Sequence, residues 1–149
     1  MTNQIAREFF DAGLWAAGVG HFVVLVASFQ VPYRLKWKQD LQSLMPLNRK
    51  FLWVQGGFTV MTILAFGVLT LALHRELLRG DRAAIALATF IGIYWIARIL
   101  VDAFYFCHAD WPKGGLFVVA HILLTSLFVG LALNYVGLVV WHVSFVSRR

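Results

Sequence analysis

Residues 94–112 read YWIARILVDAFYFCHADWP. The first part has the apolar composition of a helix, and the end, with His108, Asp110 and Pro112, has the composition of a turn. Inside the apolar run stand Arg98 and Asp102, four residues apart. That spacing puts both on one helix face, where they can neutralise each other. A charge at the centre of a bilayer costs about 2.5–3.5 kcal/mol, so intramembrane ionisable residues mark sites by default. The stretch therefore reads as a membrane helix with one face turned away from lipid. The plainer reading is that the pair only fixes helix packing, with hydrogen bonds to Gln55 or Tyr94.

The rest of the chain agrees with a membrane reading. Of its 149 residues, 60% are apolar and 13% charged. Soluble domains carry about 25% charged residues, which this chain lacks. Its mean hydropathy is +0.75. The net charge of +6 belongs to residues outside the apolar runs, where lipid headgroups meet them, so no nucleic-acid partner is expected. The one cysteine, Cys107, allows no intrachain disulfide and no two-cysteine redox chemistry. The first apolar run follows Arg7, Glu8 and Asp11 with no small-residue cleavage site after it, so it reads as a retained helix.

Four segments reach the length of about 20 apolar residues that a crossing needs. They are residues 12–32, 51–73, 83–106 and 115–143. The fold expected is an all-α integral membrane protein of one domain, residues 1–149. It is a four-transmembrane-helix bundle with both termini on the same side, here called side A. Loops 33–50 and 107–114 then lie on side B. Side B holds Arg34, Lys36, Lys38, Arg49, Lys50 and Lys113, and side A holds Arg7, Arg75, Arg79, Arg82, Arg148 and Arg149. At six against six, basic residues do not orient the chain, and only the denser cluster favours a cytoplasmic side B. Segment 33–50, YRLKWKQDLQSLMPLNRK, alternates basic and apolar residues as an interfacial segment does, and NQIAREFFDAGLW reads the same way. The expected location is multi-pass, in a bacterial inner membrane.

Each span carries one small or polar face. Gly13, Ala17, Gly20, His21, Val24 and Ser28 share a face in the first, and Gln55, Thr59, Thr62, Phe66 and Thr70 in the second. Tyr94, Arg98, Asp102 and Tyr105 share one in the third, and His121, Thr125, Phe128 and Ala132 in the fourth. At 1.5 Å per residue, measured from side B, Asp102 lies roughly 9 Å deep, His121 roughly 12 Å, Arg98 roughly 15 Å and His21 roughly 16 Å. Gln55 is about one turn in from the same side. The polar groups of all four helices thus crowd into the B half, with Thr70 and Asn134 as exceptions. The expectation is a polar pocket opening toward side B, with His21, Gln55, Tyr94, Arg98, Asp102 and His121 as its ligand-binding residues.

Three readings compete for that pocket. The first is haem b, with His21 and His121 ligating the iron from opposite faces, Gly20 leaving room for the macrocycle, and Arg98 pairing with a propionate. In being a four-helix chain of this size with a histidine, His21, in its first span, the protein resembles the small haem-binding membrane protoporphyrinogen oxidases. The resemblance implies haem binding. It rests on architecture and His21 alone, and no other residue role follows from it. The second reading is a proton or small-ligand site through His21, Asp102, Arg98 and His121, with a metal bound by His21, His121, Asp102 and His108 as its variant. The third is a non-catalytic accessory subunit of a larger membrane complex, or a homo-oligomer packed through the Gly13/Ala17 stripe.

Other features have plain readings. Trp15, Trp37, Trp53, Trp111 and Trp141 suit interfacial anchoring, and Trp95 is the one placed mid-span. His74 and His142 stand near span ends on side A, where headgroups would meet them. His108, Asp110 and Trp111 form a turn that could gate the pocket. Protease, glycosidase and phosphate-loop motifs are absent, and Ser28 with His21 lacks an acid at a recognisable spacing, so no reaction is assigned.

Overall fold

The computed structural model describes residues 2–34, 36–105 and 115–146, and every regular element among them is helical. Helix α1 spans Thr2–Arg34, and α2 spans Trp37–Asp40 and runs into a 3-10 turn at Leu41–Ser43. Then follow α3 (Pro46–Ala72), α4 (His74–Arg79), α5 (Arg82–Phe104) and α6 (Gly115–Val146). Four stretches are long and apolar enough to cross a membrane: Gln4–Gln30, Pro46–Ala72, Arg82–Phe104 and Val118–Ser144. The shortest, at 23 residues, rises roughly 34 Å, against a hydrocarbon core about 30 Å thick.

Helix ends differ from the hydropathy boundaries for physical reasons. Helix α1 starts at Thr2, ten residues before the apolar run, and takes in the segment expected to lie in the interface. Its first turns include the helix formers Gln4, Ala6, Arg7 and Glu8, and Gln4 Nε2–H donates to Glu8 Oε1 at 3.2 Å across one turn. Apolar composition locates lipid, whereas a helix continues until its backbone bonds are interrupted. Pro46 opens α3 at its first position, where its missing N–H is no loss. The described residues of segment 33–50 are thus the end of α1, a short helical stretch and the start of α3. The α4–α5 connection turns on Gly80, in the left-handed region at φ 78°. Asp81 N–H reaches back to the Glu76 carbonyl at 3.2 Å, the six-residue closure that favours glycine at this position. A side chain at Gly80 would also overlap the His142 ring.

Helix α1 packs against α3 and α6, and α5 packs against α6. Helices α3 and α5 touch through Phe66, whose ring meets Phe90 at 5.9 Å and Tyr94 at 5.1 Å. In lipid the drive for such contacts is close packing and interhelical hydrogen bonding rather than escape from water. Gly67 shows the closeness: a Cβ there would stand 3.1 Å from His21 Cβ.

One end of the molecule gathers three parts of the chain. The Phe10 ring stacks on Trp141 at 5.2 Å, His74 Nε2 lies 3.3 Å from the Asp11 carbonyl, and His142 Nε2 lies 3.0 Å from the Leu77 carbonyl. The start of α1, helix α4 and the end of α6 therefore meet, and the α1–α3 connection lies at the opposite end. These contacts correct the reading of His74 and His142 as headgroup-facing: α4 folds back under the bundle and supplies or receives their partners.

The core is not spread evenly along the helices. Buried side chains run from Phe10 to Leu25 in α1, Ile63 to Thr70 in α3, Ala84 to Trp95 in α5 and Phe128 to Leu138 in α6. Beyond them, across residues 46–62, 96–104 and 118–127, no described side chain is buried. The end bearing α4 is closed, and the end bearing the α1–α3 connection is open.

Candidate functional site

At mid-bundle, four helices contribute to one polar and aromatic layer. His21 of α1 is fully buried. Trp95 of α5 has a single polar hydrogen, and its Nε1–H donates to His21 Nε2 at 3.1 Å. His21 Nε2 is then an acceptor, so the ring hydrogen sits on Nδ1 and is donated to the Ala17 carbonyl at 2.7 Å. The tautomer follows from these partners. Phe66 of α3 and Tyr135 of α6 complete the ring of neighbours, with centroids 6.0 and 5.9 Å from the imidazole. One step toward the closed end, Thr70 Oγ1 donates to the Phe66 carbonyl at 2.7 Å and lies 2.6 Å from Tyr135 Oη. Thr70 spends its single hydrogen on Phe66, so Tyr135 is the donor between the two hydroxyls.

A second polar group lies in the open half, between α5 and α6. Asp102 Oδ2 accepts from Thr125 Oγ1 at 3.3 Å and stands 3.6 Å from His121 Nε2. His121 and Thr125 also border a shallow depression on α6 with Ile122, Ser126 and Val129. Arg98 is exposed, and its guanidinium carbon lies 5.8 Å from the centre of the Phe128 ring. Tyr94 is half-buried and packs edge-on to both Phe66 and Trp95. Gln55 and Thr59 are exposed on the α3 face that continues from Phe66.

The six expected ligand-binding residues thus divide. Arg98, Asp102, His121, Tyr94 and Gln55 belong to the open half or its floor, whereas His21 belongs to the closed core. Trp95 and Asp102, the partners of His21 and His121, are seven residues apart on α5, so the two imidazoles lie roughly 10 Å apart along the bundle. That replaces the expected separation of about one turn. With His21 Nε2 accepting from Trp95, the two imidazoles as packed here are not placed to take one iron from opposite faces. Among the described residues, no three of His, Cys, Asp and Glu gather as metal ligands. His108, Cys107, Asp110 and Trp111 lie outside the described residues.

The expected Arg98–Asp102 pair is also corrected: no Arg98–Asp102 ion pair forms among the described residues. Helix α6 runs close beside α5 and offers Asp102 a hydroxyl and an imidazole, while the longer Arg98 side chain extends over Phe128. The partners that composition passed over are Trp95 and Tyr135. Both carried a signal, since an indole N–H or phenol O–H in the middle of a span needs an acceptor.

Four helices fit to cross a membrane, a closed polar core and an open polar half define the class of protein this is. No protein-family model, curated protein or solved structure matches the chain.

Proposed function

We propose that the protein is a four-helix membrane bundle, with both termini on one side of the bilayer and a polar crevice on the other that binds a small polar ligand. One observation carries the reading: apart from His21, Thr70, Tyr135 and Asn134, which the core takes up, most intramembrane polar groups of these helices stand in the half where packing ends. Arg98, Asp102, His121, Thr125, Thr59 and Gln55 lie on the continuations of the helix faces that form the core. Lipid on these faces would leave them unsolvated, and water or a ligand between the helices would not. The contacts of Phe10 with Trp141 and of Asp11 with His74 support the placement of the termini.

Thiol labelling tests the crevice. In a chain with Cys107→Ser, Thr59→Cys and Thr125→Cys should react rapidly with a membrane-impermeant reagent, and Leu100→Cys, on the outer face of α5, slowly. Equal, slow reaction at all three positions would remove the crevice. Epitope tags at the two termini should be reached from the same side.

A second reading, as accessory subunit of a larger membrane complex, draws on α3. Gln55 is exposed, and a Cβ at Gly56 or Gly57 would meet nothing within 4 Å, a surface that suits a partner helix. On that reading Thr59→Cys is shielded in native membranes and labels only after purification.

A further inference from the structure

We propose that the crevice is an oxyanion site, in which Arg98 and the Tyr94 hydroxyl hold a carboxylate or phosphate group. The proposal rests on the crevice reading above and assigns its ligand chemistry. Arg98 has no carboxylate within ion-pair distance among the described residues, because Asp102 is engaged with Thr125 and His121 on α6. The Tyr94 hydroxyl likewise makes no hydrogen bond among the described residues, although the ring is held by Phe66 and Trp95. The two donors are one helical turn apart on the same face of α5.

The direction of Arg98 separates this from snorkelling. An arginine six residues from the end of α5, roughly 9 Å, can stretch its charge to the interface. Here the guanidinium lies over Phe128, and Phe128 stacks on Trp95 at 4.9 Å, about a turn deeper than Arg98 itself. The exposed side chain thus directs its charge toward mid-bundle, away from the nearer end of α5. A guanidinium offers five hydrogens in a fixed fork that matches the two oxygens of a carboxylate or phosphate. The adjacent Tyr94 hydroxyl adds one more donor, and an anion bound there would supply the missing counter-charge. On the α3 face that continues from Phe66, Thr59 and Thr62 spend their hydroxyl hydrogens on the Gln55 and Phe58 carbonyls of their own helix, so they add lone pairs and no donor. The two donors assigned here both belong to α5.

Such a group can enter from the aqueous side as a free anion, or laterally between α3 and α5 as a lipid headgroup. Binding to the purified protein in nonionic detergent tests both sources, with inorganic phosphate, dioctanoyl phosphatidic acid and, as a zwitterionic comparator, dioctanoyl phosphatidylcholine. Either of the first two should raise the melting temperature, and which one does identifies the source. Arg98→Gln should weaken that binding about tenfold or more, Tyr94→Phe about threefold, and Arg79→Gln at the closed end not at all. Arg98→Lys keeps the charge without the fork and should fall between wild type and Arg98→Gln, so loss of binding is separable from loss of fold. Two results overturn the proposal: no response to either oxyanion, or phosphatidylcholine binding as tightly and independently of Arg98. If thiol labelling finds the crevice open and no oxyanion binds, the oxyanion assignment alone fails. If labelling finds it closed, the crevice reading itself fails.

Discussion

Trp95 donates its indole N–H to Nε2 of His21 at 3.1 Å, and both side chains lie almost wholly out of contact with solvent or lipid. With Nδ1–H on the Ala17 carbonyl, the imidazole has both nitrogens satisfied inside the protein. A histidine so placed ties α1 to α5 and fixes their register.

The first prediction concerns that bond. Trp95→Phe keeps most of the packing but leaves a buried imidazole nitrogen without a donor, a loss of about 1–3 kcal/mol. Thermal unfolding in detergent should show it as a lower melting temperature, and His21→Ala should cost more because it also opens a cavity beside Phe66 and Tyr135. An unchanged melting temperature for both variants would mean that the layer contributes nothing to stability.

Thr70 and Tyr135 should show an asymmetry. Tyr135→Phe removes a donor and leaves Thr70 still bonded to the Phe66 carbonyl. Thr70→Val strands the Tyr135 hydroxyl in a buried site, so it should be the more damaging change. The double variant should recover part of the loss, with a coupling energy of about 0.6–1.7 kcal/mol as found for hydrogen bonds between membrane helices. Equal single losses that simply add would argue against the bond.

Gly13 faces the Asn134 side-chain amide, which would overlap any Cβ at that position. The Asn134 carbonyl oxygen is also buried without a hydrogen-bond partner among the described residues. Gly13→Ala should therefore destabilise the parent chain, by about 1–3 kcal/mol. In an Asn134→Ala background the same change should be close to neutral. A penalty of equal size in both backgrounds would show that the glycine matters for some reason other than this contact.

Arg98 and Asp102 offer a double-mutant test of which partner Asp102 has. The cycle between Arg98→Leu and Asp102→Leu should give little coupling, because the carboxylate bonds across to α6. The cycle between Asp102→Asn and Thr125→Val should give a measurable one, about 0.5 kcal/mol or more. The reverse order would restore an ion pair within α5.

Much of this was legible from residue order alone. Runs such as 115–143 admit no reading but a helix in an apolar medium, because each unpaired backbone group there would cost several kcal/mol. The 3.6-residue period also identifies the inward faces: Ala17, Gly20, His21 and Val24 of α1, and Phe128 and Ala132 of α6, are buried as their spacing implies. On α5 the period was nearly right. The buried face passes through Ala84, Ala88, Ile91 and Trp95, one residue round from the Tyr94–Arg98–Asp102 stripe.

Tertiary structure alone decided who meets whom. Periodicity gives the angle of a side chain about its own helix axis and is silent on how far a neighbouring helix is shifted along that axis. That shift puts Trp95 opposite His21, and Thr125 opposite Asp102, so it converts an apparent Arg98–Asp102 pair into an interhelical bond and places His21 and His121 on different levels. It also decides where packing stops. Gln55 and Phe66 lie on one face of α3 by spacing, yet Phe66 is buried and Gln55 is exposed, because His21 of α1 and Tyr94 of α5 cover the first and not the second.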